Sequence, residues 1–482
     1  MPNLIDHLVF RAKVVPKSVA IQRLHSQLNF QELLLRVKKI ANKLRQSGIK
    51  PGQTVVTAIP GKGRDWLVSL ALFHEATVTC SYHGQSPIDA FEYDWMITDR
   101  KVDPFESKKT IRMDNAWLED AQKLSGDIEL IDYDSPDSQV RLALTSGTLG
   151  RSRAVSQSYG QIISRVENSI AHYGTASCFN LMAMSTAGGF SSMVVALVTG
   201  HPIYPATTPK DVIQMAETFP VESLYGSPVQ LAHLVDELAA RGKKLPNLKM
   251  VRYAGGAASR KLLGNIETYL SGNIINLYGS TEAGGICTFR PTSRTDSSIA
   301  GYPYVGVEVE IVDESGAVLA HGLEGSIRLK TPYMVHAYHG DPAATEQSFK
   351  DGWFYPGDRG TQKDDGLLVI AGRDGELINR GGVKIDPASI DQFLAGYKGV
   401  ADAAVFGFED NAGVSSIAAA IKAPEGFDLE ELKEESLRKL GSVRCPSVFF
   451  KVKQIPRNQM GKVVRGDLKR ILATRMARSS KA

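Results

Sequence analysis

The chain has 482 residues, 43% of them hydrophobic and 22% charged, which is enough for a large core plus a smaller domain and excludes a disordered or fibrous protein. A formal net charge of +4 over that length is nearly balanced, so charge gives no case for nucleic acid or a membrane surface as a partner. The cysteines Cys80, Cys178, Cys287 and Cys445 lie far apart with no close Cys or His pairing, which excludes a zinc knuckle and a disulfide framework.

The N-terminal "MPNLIDHLVFRAK" lacks the charged start, apolar centre and small-residue cleavage site of a signal peptide, and the expectation is a soluble, cytoplasmic protein. Leu33, Leu34, Val37, Ile40, Ala41 and Leu44 recur at helical spacing, with Asn29 placed to cap the start and Gly48 the end. "TVVTAIPG" then reads as a strand and "RDWLVSLALFHEA" as a helix, an alternation that predicts a parallel α/β sheet. The longest apolar stretch, "SSMVVALVTG", is too short to span a bilayer. Further on, "LKMVRYAGGAAS" and "IINLYGSTEA" again place an apolar strand before a small, polar turn. In open α/β sheets the carboxyl ends of strands are where ligands bind.

After Phe289 the texture changes to short alternating strands, "GVEVEIVDESGAV", "GSIRLKT" and "GLLVIAGRDGELINRGG", which predicts an antiparallel or barrel-like subdomain. From about Gly375 a compact α/β segment follows, with strands in "VADAAVFGFED", "VSSIAAAIKA" and "SVFFKVK", a helix at "LEELKEESLRKL" and a basic helix after Arg465. The polar "RDGEL" is the best boundary between the two textures. The C-terminal "RMARSSKA" reads as a solvated tail; it ends in Ala482, where a peroxisomal signal ends in Leu.

"TSGTLGRSRAV", from Thr145, follows an apolar strand. Backbone N–H groups of such a turn can converge on a phosphate and its hydroxyls add donors. The Walker spacing and the three-glycine dinucleotide spacing are both absent, and alone the loop fits an anion site and a tight surface turn equally well.

Five stretches in order, "TSGTLGRSRAV", "NLYGSTEAGG", "DGWFYPGDRG", "GRDGELINRGGVKIDPASID" and "PRNQMGKVVR", together resemble the adenylate-forming superfamily of acyl- and aryl-CoA synthetases, peptide-synthetase adenylation domains and luciferases. The likeness covers nearly the whole chain. It implies a large N-terminal AMP-binding domain of parallel-type α/β sheets plus a barrel-like subdomain (1–373), a hinge (374–376), and a small mobile α+β C-terminal domain carrying a catalytic lysine (377–482). It also implies ATP-dependent activation of a carboxylic acid to acyl-AMP with release of pyrophosphate, then transfer to a thiol, with ATP and Mg²⁺ required and CoA or phosphopantetheine as co-substrate.

Carried onto this chain, Lys462 matches the lysine that bridges carboxylate and phosphate. Thr281 matches the hydroxyl that meets the α-phosphate, and Glu282 the carboxylate linked to Mg²⁺; a helix N-cap is the rival account of "STEAGG". Thr145, Ser146, Gly147, Thr148, Gly150 and Arg153 match the phosphate loop. Gly255, Gly256 and Ala257 match the strand end against adenine, with Tyr278 and Gly279 in the Tyr-Gly motif; Tyr278 stacks on the base in the family, and core packing is its competing account. Asp358 matches the acceptor of the ribose hydroxyls and Arg373 an arginine reaching the ribose or phosphates. Gly381 and Gly382 match a loop that lines the thiol channel when the C-terminal domain rotates to its second pose, and a plain turn is their competing account.

Several positions depart from the pattern. Ser152 and Arg153 stand where the family has Pro-Lys, Leu149 replaces a hydroxyl, Pro356 replaces the ribose-motif Thr, and Gly375 occupies the hinge. Amino-acid-activating members place an Asp where this chain has Ala187, which disfavours an α-amino acid. Thr186 stands where aryl- and acyl-CoA synthetases often have His. With Gly188, Tyr225, Gly226 and Ser227 these residues are expected to line an apolar or weakly polar acid pocket. The expected substrate is an aryl or modest acyl acid, with CoA or an acyl carrier protein as the thiol partner. An amide ligase passing the adenylate to an amine, and a non-catalytic nucleotide-binding homologue, are the alternatives.

Overall fold

The computed structural model describes residues 3–83, 88–100, 109–146, 152–373, 376, 378–380, 383–409, 415–458 and 461–479. The helix expected after Asn29 is Phe30–Gln46. The Asn29 side chain accepts from the Glu32 N–H at 2.8 Å and the Glu32 carboxylate accepts from the Asn29 N–H at 3.1 Å, a reciprocal cap. Its stripe of Leu33, Val37, Ile40, Ala41 and Leu44 is buried, and Leu34 partly so.

In the first sheet Thr54–Ala58 lies between Val78–Ser81 and Trp95–Thr98, with Thr110–Arg112 and Gln139–Ser146 outside them, all parallel. Ser152–Ser158 returns antiparallel to Gln139–Ser146, pairing Thr145 with Arg153. Thr145 and Ser146 at one end of "TSGTLGRSRAV", and Ser152 and Arg153 further along it, are thus placed on paired strands.

The second sheet begins with four parallel strands, Cys178–Asn180, Ser223–Gly226, Met250–Ala254 and Ile274–Ser280. Their side chains alternate as the pleat requires. Phe179, Leu224, Val251 and Ile274 pack with helices Pro209–Thr218, Pro228–Ala240 and Arg260–Tyr269 in one core. Cys178, Asn180, Ser223, Tyr225, Met250, Arg252 and Ala254 face a cavity instead. From Gly284 the sheet continues antiparallel through Gly284–Phe289, Ile299–Pro303, Leu368–Arg373, Asp358–Gln362 and Gly325–Lys330, the change of texture expected after Phe289.

The C-terminal part has strands Asp402–Glu409 and Ser415–Lys422 antiparallel, with Val448–Lys451 parallel to the latter. Helices Pro387–Ala395, Leu429–Arg444 and Arg465–Ser479 accompany them, and its apolar residues form clusters of their own. The architecture is the expected α/β fold with a large N-terminal and a small C-terminal part.

Of the two accounts of "STEAGG", the rival helix cap fails. "STEAGG" starts no helix: Thr281–Ala283 is the turn joining Ile274–Ser280 to Gly284–Phe289, and Ser280 Oγ accepts from the Ala283 N–H at 3.1 Å. Gly279 is required there, since a Cβ would lie 2.3 Å from the Gly284 carbonyl oxygen across the hairpin.

Candidate active site

A cavity of about 1170 Å³ opens at the carboxyl ends of the second sheet's parallel strands and extends beneath the C-terminal part. Thr145, Arg153, Gly255, Gly256, Ala257, Tyr278, Gly279, Thr281, Glu282, Asp358, Arg373 and Lys462, spread over more than 300 residues of sequence, all line it. Ser146 ends its strand; Gly147, Thr148, Leu149, Gly150, Gly375, Gly381 and Gly382 lie outside the described residues.

Asp358 and Arg373 are cross-strand partners, with Arg373 Nε 3.4 Å from Asp358 Oδ1. Arg373 also donates through Nη2 to the Pro356 carbonyl at 2.9 Å, so the proline that removed a hydroxyl still supplies an acceptor. The Tyr278 hydroxyl donates to Asp358 Oδ2 at 2.6 Å. Burial first, then the Asp358 charge, push the Tyr278 phenol well above its usual range, so it stays a neutral donor. This hydroxyl fixes the carboxylate from a position 80 residues away.

Glu282 is buried at the cavity wall, and its Oε1 accepts from the Tyr338 hydroxyl at 2.8 Å. Arg153 lies over the Tyr338 ring, its guanidinium carbon 5.0 Å from the centroid. The departure from the family's loop therefore joins a chain of contacts, Arg153 to Tyr338 to Glu282. The backbone of the Thr281–Glu282 turn is held by Arg165, on helix Tyr159–Tyr173. Arg165 donates from Nη1 to the Thr281 carbonyl at 3.0 Å, from Nη2 to the Glu282 carbonyl at 2.9 Å, and from Nε and Nη2 to the Tyr333 carbonyl at 3.2 and 3.1 Å. Sequence reasoning named neither Arg165 nor Tyr338. Each lies in an ordinary amphipathic or loop context, and neither has a local motif.

Lys462 reaches the cavity from the C-terminal part, its N–H bonded to Asn458 Oδ1 at 2.9 Å. The residue is exposed where it borders the cavity. Desolvation, then the charge of Arg373, lower its pKa from the ordinary lysine value, against the opposing pull of Asp358, Glu376 and Glu282. The lysine therefore faces the same space as the Asp358–Arg373 pair and Glu282.

Of the residues expected to form the acid pocket, Thr186, Ala187, Gly188 and Tyr225 line the cavity. Thr186 caps helix Ala187–Thr199, its hydroxyl accepting from the Gly189 N–H at 3.0 Å and donating to the Ala183 carbonyl at 2.8 Å. The absence of a side chain at Gly188 leaves room for the Tyr225 hydroxyl, which a Cβ there would approach to 2.4 Å. Gly226 and Ser227 are corrected: they lie behind the wall. Gly226 packs on Leu181, and fully buried Ser227 caps helix Pro228–Ala240.

The sequence model of the AMP-binding enzyme family matches residues 92–339, and that of the AMP-binding enzyme C-terminal domain matches residues 389–462. The chain belongs to the AMP-binding enzyme family. This AMP-binding enzyme is 26% identical over 470 residues to a 2-succinylbenzoate–CoA ligase of Listeria monocytogenes, covering 95% of this chain and 97% of the relative. It is 25% identical over 524 residues to a medium/long-chain-fatty-acid–[acyl-carrier-protein] ligase of Mycobacterium tuberculosis, covering 97% and 96%. Its fold matches that of o-succinylbenzoate CoA synthetase of Bacillus subtilis in complex with the acyl-adenylate intermediate, with a TM-score of 0.87, 23% identity, and 97% and 98% of the two chains covered. No helix among the described residues of this AMP-binding enzyme is long and apolar enough to cross a membrane.

Proposed function

We propose that the protein uses ATP to activate a carboxylic acid, aryl or of modest acyl length and not an α-amino acid, as its acyl-AMP, and passes the acyl group to the thiol of CoA or of carrier-protein pantetheine. The observation that carries this reading is the convergence of Lys462, the Asp358–Arg373–Tyr278 group and the Thr281–Glu282 turn on one cavity that continues past Thr186, Ala187, Gly188 and Tyr225.

In the first half-reaction a substrate carboxylate oxygen attacks the α-phosphorus and pyrophosphate leaves with the bonding pair. Negative charge grows on the phosphoryl oxygens, and the Lys462 ammonium and Thr281 hydroxyl are the donors aimed at that space. Asp358, held by Tyr278 and Arg373, orients the ribose by accepting its hydroxyls. In the second half-reaction the thiol sulfur attacks the acyl carbonyl, AMP leaves, and the thiol proton passes to solvent. Residues 374–376 are the proposed hinge between domains 1–373 and 377–482, and the orientation described, with Lys462 in the cavity, suits the first step.

Glu282 fits a magnesium ion. One of its oxygens accepts a hydrogen bond from the Tyr338 hydroxyl and the other has no protein donor among the described contacts. No cluster of three or more His, Cys, Asp or Glu side chains exists among the described residues, so a hard cation there would complete its shell with phosphate oxygens and water. When bound, Mg²⁺ would neutralise charge on the phosphates.

ATP–pyrophosphate exchange across a panel of acids tests the reading. Acid-dependent exchange is expected, followed by AMP release when CoA or a carrier protein is added. Folded protein that exchanges with no acid refutes it.

A further inference from the structure

The cavity's arginines are not equivalent. Arg165 is occupied by three carbonyls, Arg373 by Asp358 and the Pro356 carbonyl, and Arg328 by Glu310. Arg252 has no such partner. It stands on Met250–Ala254, three residues and so about 10 Å along the strand from Gly255. Its guanidinium carbon lies 5.6 Å from the Tyr173 ring centroid and 5.4 Å from that of Tyr225, its register neighbour. Among the described residues Nη2 reaches the Cys178 sulfur, a weak acceptor, at 3.3 Å, while Nε is buried with no acceptor.

No carboxylate among the described residues pairs with Arg252. Burial holds the Tyr173 phenol above its usual range and that of Tyr225 at about 12, so neither ring supplies a negative charge. A guanidinium that borders a cavity with no counter-charge beside it has its rigid fork open to a carboxylate. The space beside it is walled by Met193, Ala196, Ile203 and Tyr204, which suit a carbon frame and offer no anion of their own.

We propose that Arg252 is a specificity-determining residue that binds a second carboxylate of the substrate, so that the acid activated is a dicarboxylic acid. One carboxylate faces Lys462 and Glu282, the apolar walls hold the frame, and Arg252 takes the far carboxylate in its fork. The inference rests on the acid-activating reading above.

The test is ATP–pyrophosphate exchange with matched acids: α,ω-dicarboxylic acids of graded length against monocarboxylic acids of the same length, and aryl acids with and without a second carboxylate. In the native protein the best diacid is expected to exceed its monoacid partner in kcat/KM on the order of 100-fold. Arg252→Met is expected to abolish that preference, and Arg252→Lys to restore part of it. A native protein that prefers the monoacids overturns the proposal by itself, whatever the fate of the variants. A diacid preference that survives Arg252→Met overturns it too. Exchange with no acid of either series refutes acid activation, and this proposal with it, whereas exchange confined to monoacids leaves acid activation standing and removes Arg252 from recognition.

Discussion

Replacing Arg165 by methionine separates positioning from stability. The substitution removes the contacts to the carbonyls of Thr281, Glu282 and Tyr333. The Glu282 carbonyl keeps the Val335 N–H at 3.0 Å, so the loss falls on the other two. Each carbonyl left without its donor costs about 1–3 kcal/mol. Methionine also relieves the burial of a guanidinium whose pKa desolvation has pushed down to about 10. That relief is worth about 3 kcal/mol. The two largely offset, leaving a net change between a stabilisation of about 1 kcal/mol and a destabilisation of about 3 kcal/mol. The rate should suffer more, because the turn bearing Thr281 and Glu282 loses the side chain that fixes it. A displacement of order 1 Å at a reacting centre costs about 100-fold. Exchange assays should show kcat reduced by that order and the Mg²⁺ concentration for half-maximal rate increased, while the thermal midpoint moves little. An exchange rate within threefold of native in folded protein would refute the positioning argument; outright unfolding would refute the energetic one.

Lys462→Ala should suppress acyl-AMP formation on the order of 100-fold or more while thiol transfer from supplied acyl-AMP persists; equal loss of both contradicts the two-pose assignment. Because the Lys462 pKa is lowered, the protonated ammonium is lost as pH rises toward the ordinary lysine value of 10.5, and adenylation should decline below that pH, ahead of transfer from supplied acyl-AMP. Gly188→Ala should displace the Tyr225 hydroxyl and reduce kcat/KM for the acid about 10-fold with little change in the KM for ATP, since the added methyl meets only the acid-side wall. Lys62, 7% exposed and bonded to the Asn180 and Ala206 carbonyls, has its pKa pushed down to about 8 by burial. The folded-state value lies below the unfolded one, so the cost of the buried charge is complete below about pH 8 and fades as pH rises toward 10.5. Native protein should therefore gain on Lys62→Met by about 2 kcal/mol between pH 7 and 9.5 in denaturant titrations; a constant difference would contradict the assignment.

The residues legible in the sequence are those whose roles are written into short local patterns. Asn29 with Glu32 announces a helix start, and Asp358, Arg373 and Lys462 sit in motifs that need no knowledge of distant partners. What stayed hidden depends on juxtaposition. Arg165 reads as one more charge on an amphipathic helix until the fold brings Tyr333 and the Thr281 turn against it. Tyr338 and Arg252 acquire meaning from Glu282 and from the missing counter-charge, neither visible along the chain. "STEAGG" misleads because the same hydroxyl–backbone bond that caps a helix also closes a hairpin turn. Ser227 misleads in the opposite sense, as a cap beside a pocket residue.

The alternation along Cys178–Asn180, Ser223–Gly226 and Met250–Ala254 has an evolutionary corollary. Residues on the helix-facing side are locked into a packed core, where a lost methylene costs stability. Their immediate neighbours, Cys178, Ser223, Tyr225, Met250 and Arg252, border open space and can be exchanged without disturbing that core. Selection can therefore retune the diet of such an enzyme one position at a time while its fold stays intact, and a laboratory library confined to those alternate positions should yield mostly folded variants.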